Sequence, residues 1–230
     1  MTDQEAAALG AAALAEVKPG HVVGLGTGQA ATAFIHALGK AVKEGLRVTG
    51  VPTSDASGSL ARTLGIPLIP EPVTLDVAVD GADEVDPRLD LVKGYGGALV
   101  REKIVAAAAR RFIVLVGDEK LVPTLGARGR LPVEVVPFGA PFCGRRLAEL
   151  GYPPTTRLKD GKPWVTDNGN LILDVAVTAI PDPGALDRTI CEIPGVVGTG
   201  LFVNMAHAVM VWENGRARTL TKRHEKEETS

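Results

Sequence analysis

Cysteine is nearly absent from this 230-residue chain. Cys143 and Cys191 are the only two, without Cys-x-x-Cys spacing, which argues against a disulfide scaffold or a thiolate metal site and predicts two buried fillers in a reducing, cytoplasmic setting. Aromatic residues are scarce too. Nine of them, 4% of the chain, are too few for the stacking platform that single-stranded nucleic acid binders use. Neither charge sign dominates: 25 basic and 27 acidic side chains leave a formal net charge of −2, so no global field draws the molecule to nucleic acid or to an anionic membrane. Small anions must be held locally. No run reaches 18 apolar residues, which excludes a membrane-spanning helix. The first 17 residues carry Asp3, Glu5 and Glu16 with no basic start, unlike a secretion signal. His21, His36, His207 and His224 are scattered, which speaks against metal ligation and against a Ser-His-Asp arrangement.

What the chain has is a core and many turns: 45% of residues are hydrophobic and 27 are glycine, the former ordinary for a globular protein and the latter high. Thr2 and Glu5 form a T-x-x-E capping box before an alanine-rich helix. Apolar runs then alternate with helical spacing. Strands are expected at 21–25, 47–51, 66–69, 75–79 and 112–116, and helices at 29–43, 55–64 with Ser54 as N-cap, and 98–110. This alternation predicts an α/β fold, a Rossmann-like open parallel sheet with helices on both faces. From about residue 131 the pattern changes to strands at 131–136, 155–158, 163–166 and 171–177 with helices at 140–150 and 183–190. Asn168-Gly169 marks a tight hairpin among them. We read 131–203 as a smaller α+β domain inserted into a larger one formed by 1–130 and 204–222, with 206–212 and 216–220 completing the larger domain and 223–230 as a solvated tail.

Ligands of such sheets sit at the carboxyl ends of strands, and four loops there are unusual. Gly24-Leu25-Gly26-Thr27-Gly28-Gln29 frees the backbone ahead of a helix N-terminus, which suits a phosphate, a dinucleotide or simply a tight turn. The second strand ends in Pro52-Thr53-Ser54 rather than in an acid for a ribose. Asp80-Gly81-Ala82-Asp83-Glu84-Val85-Asp86 places four acids within seven positions, a cluster that raises proton affinity and does not fit an EF-hand. Lys93-Gly94-Tyr95-Gly96-Gly97 leads to Glu102 near the start of the next helix, and Gly117-Asp118-Glu119-Lys120 offers a further ammonium. A phosphate cradle, acids, a lysine and a carboxylate at one rim suit proton abstraction beside a carbonyl.

The segments GLGTGQAA, VPTSDAS, VDGADEVD, KGYGGALVREK, GDEKLV, LPVEVVPF, TDNGNLILDV and IPGVVGTGLF resemble, in the same order, those of the type A ribose-5-phosphate isomerase family. The resemblance implies interconversion of D-ribose 5-phosphate and D-ribulose 5-phosphate, no cofactor, a smaller domain of ferredoxin-like form and a homodimer or homotetramer. It implies that Glu102 is the general base, with Lys93, Asp80 and Asp83 as its catalytic companions. Substrate contacts would come from Thr27, Gly28, Gln29 and Ala30, from Asp80, Gly81, Ala82 and Asp83, from Lys93, Gly94, Tyr95 and Gly96, and from Lys120. The chain departs from the family pattern where Gln29-Ala30 replaces two hydroxyl residues, where Ala7 replaces a lysine, and where Tyr95 replaces a glycine. A sugar-phosphate sensor on the same fold would be expected to add a DNA-binding segment, which the sequence before residue 21 does not resemble.

Overall fold

A computed structural model describes residues 1–71 and 74–222; the expected tail at 223–230 lies outside the described residues. The first helix, α1 (Asp3–Ala13), starts where Thr2 and Glu5 cap each other's backbone N–H groups, satisfying two donors that the first turn leaves open. Strand β1 (Val22–Leu25) passes through Gly28, at φ +103, into α2 (Gln29–Lys43). After β2 (Thr49–Pro52), Ser54 caps α3 (Asp55–Thr63). The strand expected at 66–69 is only a bridge between Leu68 and Gly50, because Pro67 and Pro70 lack the N–H groups a ladder requires. β3 (Val77–Gly81) runs two residues further than its apolar stretch: Asp80 and Gly81 still pair with Val114 and Leu115. Two short strands, β4 (Glu84–Val85) and β5 (Leu91–Val92), precede α4 (Leu99–Ala108) and β6 (Phe112–Gly117).

The following segment folds as β7 (Arg130–Val135), α5 (Ala140–Glu149), β8 (Pro154–Thr156), β9 (Leu158–Lys159), β10 (Lys162–Pro163), β11 (Leu171–Ala176), α6 (Pro183–Cys191) and β12 (Val196–Thr199). Sequence patterning misses β12, where Gly198 and a register shift break the alternation of side chains. The strand expected at 155–158 is divided at Arg157, whose side chain is buried. β12, β7, β11 and β8 form an antiparallel sheet in that order, and with α5 and α6 this is the β-α-β-β-α-β arrangement of ferredoxin-like folds. β13 (Leu201–Phe202) pairs with β5, which pairs with β4. β14 (Ala208–Glu213) and β15 (Arg216–Thr221) close the chain's larger sheet.

That sheet has six strands in the order β15-β14-β6-β3-β1-β2, parallel except for β15 at its edge. Both faces are covered, as the unbroken apolar run of β6 requires. Ile113 and Leu115 pack with Phe34, Leu38 and Leu9 of the α1–α2 layer, whereas Val114 and Val116 pack with Val105 and Ala106 of α4. A separate cluster, Leu131, Val133, Val135, Leu147, Leu173, Val175 and Ile190, fills the space between the smaller sheet and its helices. Cys143 belongs to that cluster, but Cys191 is exposed at the end of α6, which corrects the expectation of two buried cysteines.

Candidate functional site

β1, β3 and β6 lie side by side, so the loops that follow them meet at one rim. The cavity there is lined by Thr27, Gly28, Gln29 and Ala30, by Gly81, Ala82 and Asp83, by Lys93, Gly94, Gly96 and Glu102, and by Gly117, Glu119 and Lys120. Twelve of the fourteen expected site residues therefore share one cavity; Asp80 and Tyr95 do not line it.

The first loop is built on hydroxyls whose contacts with one another the sequence does not show. Thr27 Oγ1 lies 2.8 Å from both Thr53 Oγ1 and Ser54 Oγ, and the Thr27 N–H donates to Asp80 Oδ1 at 2.9 Å. Gly26 is required by closeness: a Cβ there would fall 2.3 Å from Asp80 Oδ1. The Gln29 side chain is turned to Asp3, to which Nε2 donates at 2.7 Å. The cavity thus meets chiefly the backbone at the start of α2, whose first N–H groups and dipole favour an anion. Lys120, in a short turn after β6, lines the same cavity.

The four acids of the second loop do not share a site. Glu84 accepts from the N–H groups of Gly126 and Arg128, and Asp86 from those of Arg88 and Asp90. Extended backbone turns Glu84 to the side opposite Asp83, and the N–H groups donated to Glu84 and Asp86 offset the repulsion expected from spacing alone. Asp83 remains at the cavity, where its Oδ2 accepts the Tyr95 N–H at 3.0 Å. Asp80 lies beneath, 2% exposed, with Oδ1 accepting the Thr27 and Gly81 N–H groups and Oδ2 3.1 Å from Lys93 Nζ.

Lys93 is 3% exposed, its Nζ donating to Gly81 O and standing 3.4 Å from Glu102 Oε2. Burial works against its charge, but the carboxylates of Asp80, Glu102 and Asp83 outweigh that and hold the ammonium above its usual pKa. One cation then faces two buried carboxyls, and both are raised. In each the first cause is burial, opposed by Lys93; Asp80 is also opposed by its two N–H donors. Glu102, on α4 and 5% exposed, has no hydrogen-bond partner at Oε2. Its carboxyl is pushed up to about 8, with the charges of Asp80 and Asp83 adding to the effect of burial. Glu102 is therefore the group poised to exchange a proton near neutrality, while Asp80 differs from it in accepting two backbone N–H groups.

Tyr95 points away. Its hydroxyl donates to Arg130 O at 3.1 Å, the Arg130 guanidinium sits 4.0 Å from the ring centre, and the ring packs against the core of the smaller sheet. Burial and the nearby charges of Glu84 and Asp83 push the phenol up to about 12. Its N–H, not its side chain, reaches Asp83 at the site. Among the described residues, no three His, Cys, Asp or Glu side chains are grouped to hold a metal ion, and no helix is long and apolar enough to cross a membrane.

Comparison with known proteins identifies relatives of this chain. The family model described as ribose 5-phosphate isomerase A (phosphoriboisomerase A) matches residues 49–215. A ribose-5-phosphate isomerase A of Thermomicrobium roseum is 52% identical over 231 residues, covering 99% of this chain and 97% of the relative. Among solved structures, ribose 5-phosphate isomerase A from Methanocaldococcus jannaschii matches with a TM-score of 0.92 and 41% identity, over 96% of this chain and 100% of the other. A D-ribose-5-phosphate isomerase in complex with phospho-erythronic acid matches at 0.91 and 38%, again over 96% and 100%.

Proposed function

We propose, from the premise that this chain belongs to the ribose 5-phosphate isomerase A family, how its residues divide the labour of the reaction. The chain is an isomerase that interconverts D-ribose 5-phosphate and D-ribulose 5-phosphate, an aldose-ketose exchange of the pentose phosphate pathway. In the forward direction Glu102 removes the hydrogen from C2 of the open-chain aldose and returns it to C1. A carbon acid ionises only if the charge it leaves on oxygen is stabilised at the same moment. Lys93, 3.4 Å from the base, supplies that stabilisation. One proton must also pass from O2 to O1, and Asp83, at the cavity wall, carries it and assists ring opening. Asp80 acts from beneath by fixing the Lys93 ammonium and the Thr27 N–H. The phosphate sits against the backbone of Gly28, Gln29 and Ala30, with Lys120 facing it.

The observation that carries this reading is the buried Glu102 carboxyl, its Oε2 free of hydrogen bonds and beside a lysine on the wall of the cavity that the glycine loop bounds. The relative bound to phospho-erythronic acid supports it. That ligand joins a phosphate to a planar carboxylate, which has the shape and charge of an enediolate. The test is conversion of ribose 5-phosphate in EDTA with no added cofactor, together with hydrogen exchange at C2 in D2O. An inert wild type, or a fully active Glu102→Gln, overturns the assignment.

We infer a cytoplasmic homodimer or homotetramer, supported by apolar side chains left in solvent on the smaller sheet and its helix: Phe138, 98% exposed, with Val136, Phe142 and Val197. Sedimentation of the wild type against Phe138→Glu tests it. We take residues 1–130 with 204–222 as the catalytic domain and 131–203 as the inserted one, a division supported by the smaller sheet's own core, to which the larger domain adds Val92 and Leu125 while Phe202 joins the larger domain's core.

A further inference from the structure

The segment 93–97 carries Lys93 and bounds the cavity, yet three of its five residues are glycine. Gly94 and Gly97 stand at φ +100 and +86, where other residues are strained. Such a segment would hold many conformations in isolation, and ordering a backbone residue costs roughly 1–2 kcal/mol. What orders it comes from the smaller sheet. Arg157, between β8 and β9 and 7% exposed, donates through Nη1 to Gly94 O at 2.8 Å and to Tyr95 O at 3.1 Å. Its other nitrogens grip both oxygens of Asp174 on β11. Trp164 closes the far side, since a Cβ on Gly97 would meet its ring at 3.0 Å.

The geometry has a directional result. Every peptide bond described here is trans, and a planar trans peptide points its C=O and N–H opposite ways. Turning the carbonyls of Gly94 and Tyr95 outward to one guanidinium therefore turns the N–H groups of Tyr95 and Gly96 inward. The first of these meets Asp83 Oδ2. One buried arginine thus sets both the path of the chain from Lys93 and the hydrogen bond that holds Asp83.

We propose that Arg157, anchored by Asp174, is a positioning residue for the isomerisation: it touches no substrate and holds the loop whose lysine and acid partner do. This rests on the reading that Lys93 and Asp83 act on the sugar. Misplacement of reacting groups by about 1 Å can cost on the order of 100-fold, so Arg157→Lys, which keeps the charge but cannot bridge two carbonyls and a carboxylate, loses about 10- to 100-fold in kcat with a smaller change in KM. Hydrogen–deuterium exchange rises in peptides spanning 93–98 and stays unchanged in β6. A folded variant with wild-type kcat overturns the proposal, as does a loss of kcat without faster loop exchange. If Arg157→Lys does not fold, Asp174→Asn, which releases the guanidinium without emptying its space, is read in the same two ways; failure of both to fold makes the pair a pillar of stability and also overturns it. Glu102→Gln measured in parallel reports separately on the underlying reading, because loop exchange does not depend on which group is the base.

Discussion

The two ends of the cavity are built by opposite means. At the phosphate end, backbone N–H groups at the start of α2 and a lysine in a surface turn present charge to an open space. At the reactive end, Asp80, Lys93 and Glu102 are nearly sealed from solvent, and each is held by named partners or, for one oxygen of Glu102, by none. In the proposed reaction the first end binds substrate and transition state alike, and the second acts on the charge that develops only during reaction. A dipolar cradle needs little burial. A proton-transfer pair needs a great deal, because burial brings the glutamate near the pH at which it must both take and give a proton.

Four measurements separate the two ends, from the largest effect to the smallest. Glu102→Gln removes the base and lowers kcat by about 10²- to 10⁴-fold with KM little altered; an equal loss through KM would erase the distinction. Lys93→Ala lowers kcat by about 10²- to 10³-fold, again more than it weakens binding. The pH profile comes next. A raised pKa means that Glu102 holds its proton up to about 8, and only the ionised form accepts hydrogen from C2. The kcat/KM value of the free enzyme accordingly falls as pH drops below about 8, by about tenfold per unit, and a flat profile between 6 and 8 would refute the raised value. Lys120→Ala, at the phosphate end, raises KM by about tenfold, in line with a single charged hydrogen bond of ~1.5 kcal/mol or more, and leaves kcat nearly intact. Steady-state kinetics on all three variants reads these outcomes directly.

Much of this was legible in the sequence because it is local. Ser54, the Thr2–Glu5 box, the turn at Gly28 and the glycines before α4 act within a few residues of themselves, so their types reveal their tasks. Direction was not legible. The sequence has Asp80, Asp83, Glu84 and Asp86 as one cluster, and only the extended path through β3 and β4 sends them under, into and away from the cavity. Tyr95 looks like a cavity residue from its neighbours, yet its side chain obeys Arg130, 35 positions on. Arg157 has no signal of its own: its partners lie 17 and more than 60 residues away. Two-residue strands such as β5 and β13 also escape pattern reading, since they exist only by pairing with strands distant in the sequence or equally short, β13 with β5 and β5 with β4.

The antiparallel neighbours β7 and β12 place Gly200 N–H on Pro132 O at 2.8 Å, so the polypeptide departs from the larger layer and comes back through a single doorway. A segment with adjoining ends can be lifted out of a gene, exchanged or permuted without rethreading the remainder. In this chain, however, the guest brings the brace for its host's reactive loop, and any transplant that omits Arg157 and Asp174 delivers a sound shell with its tools out of alignment.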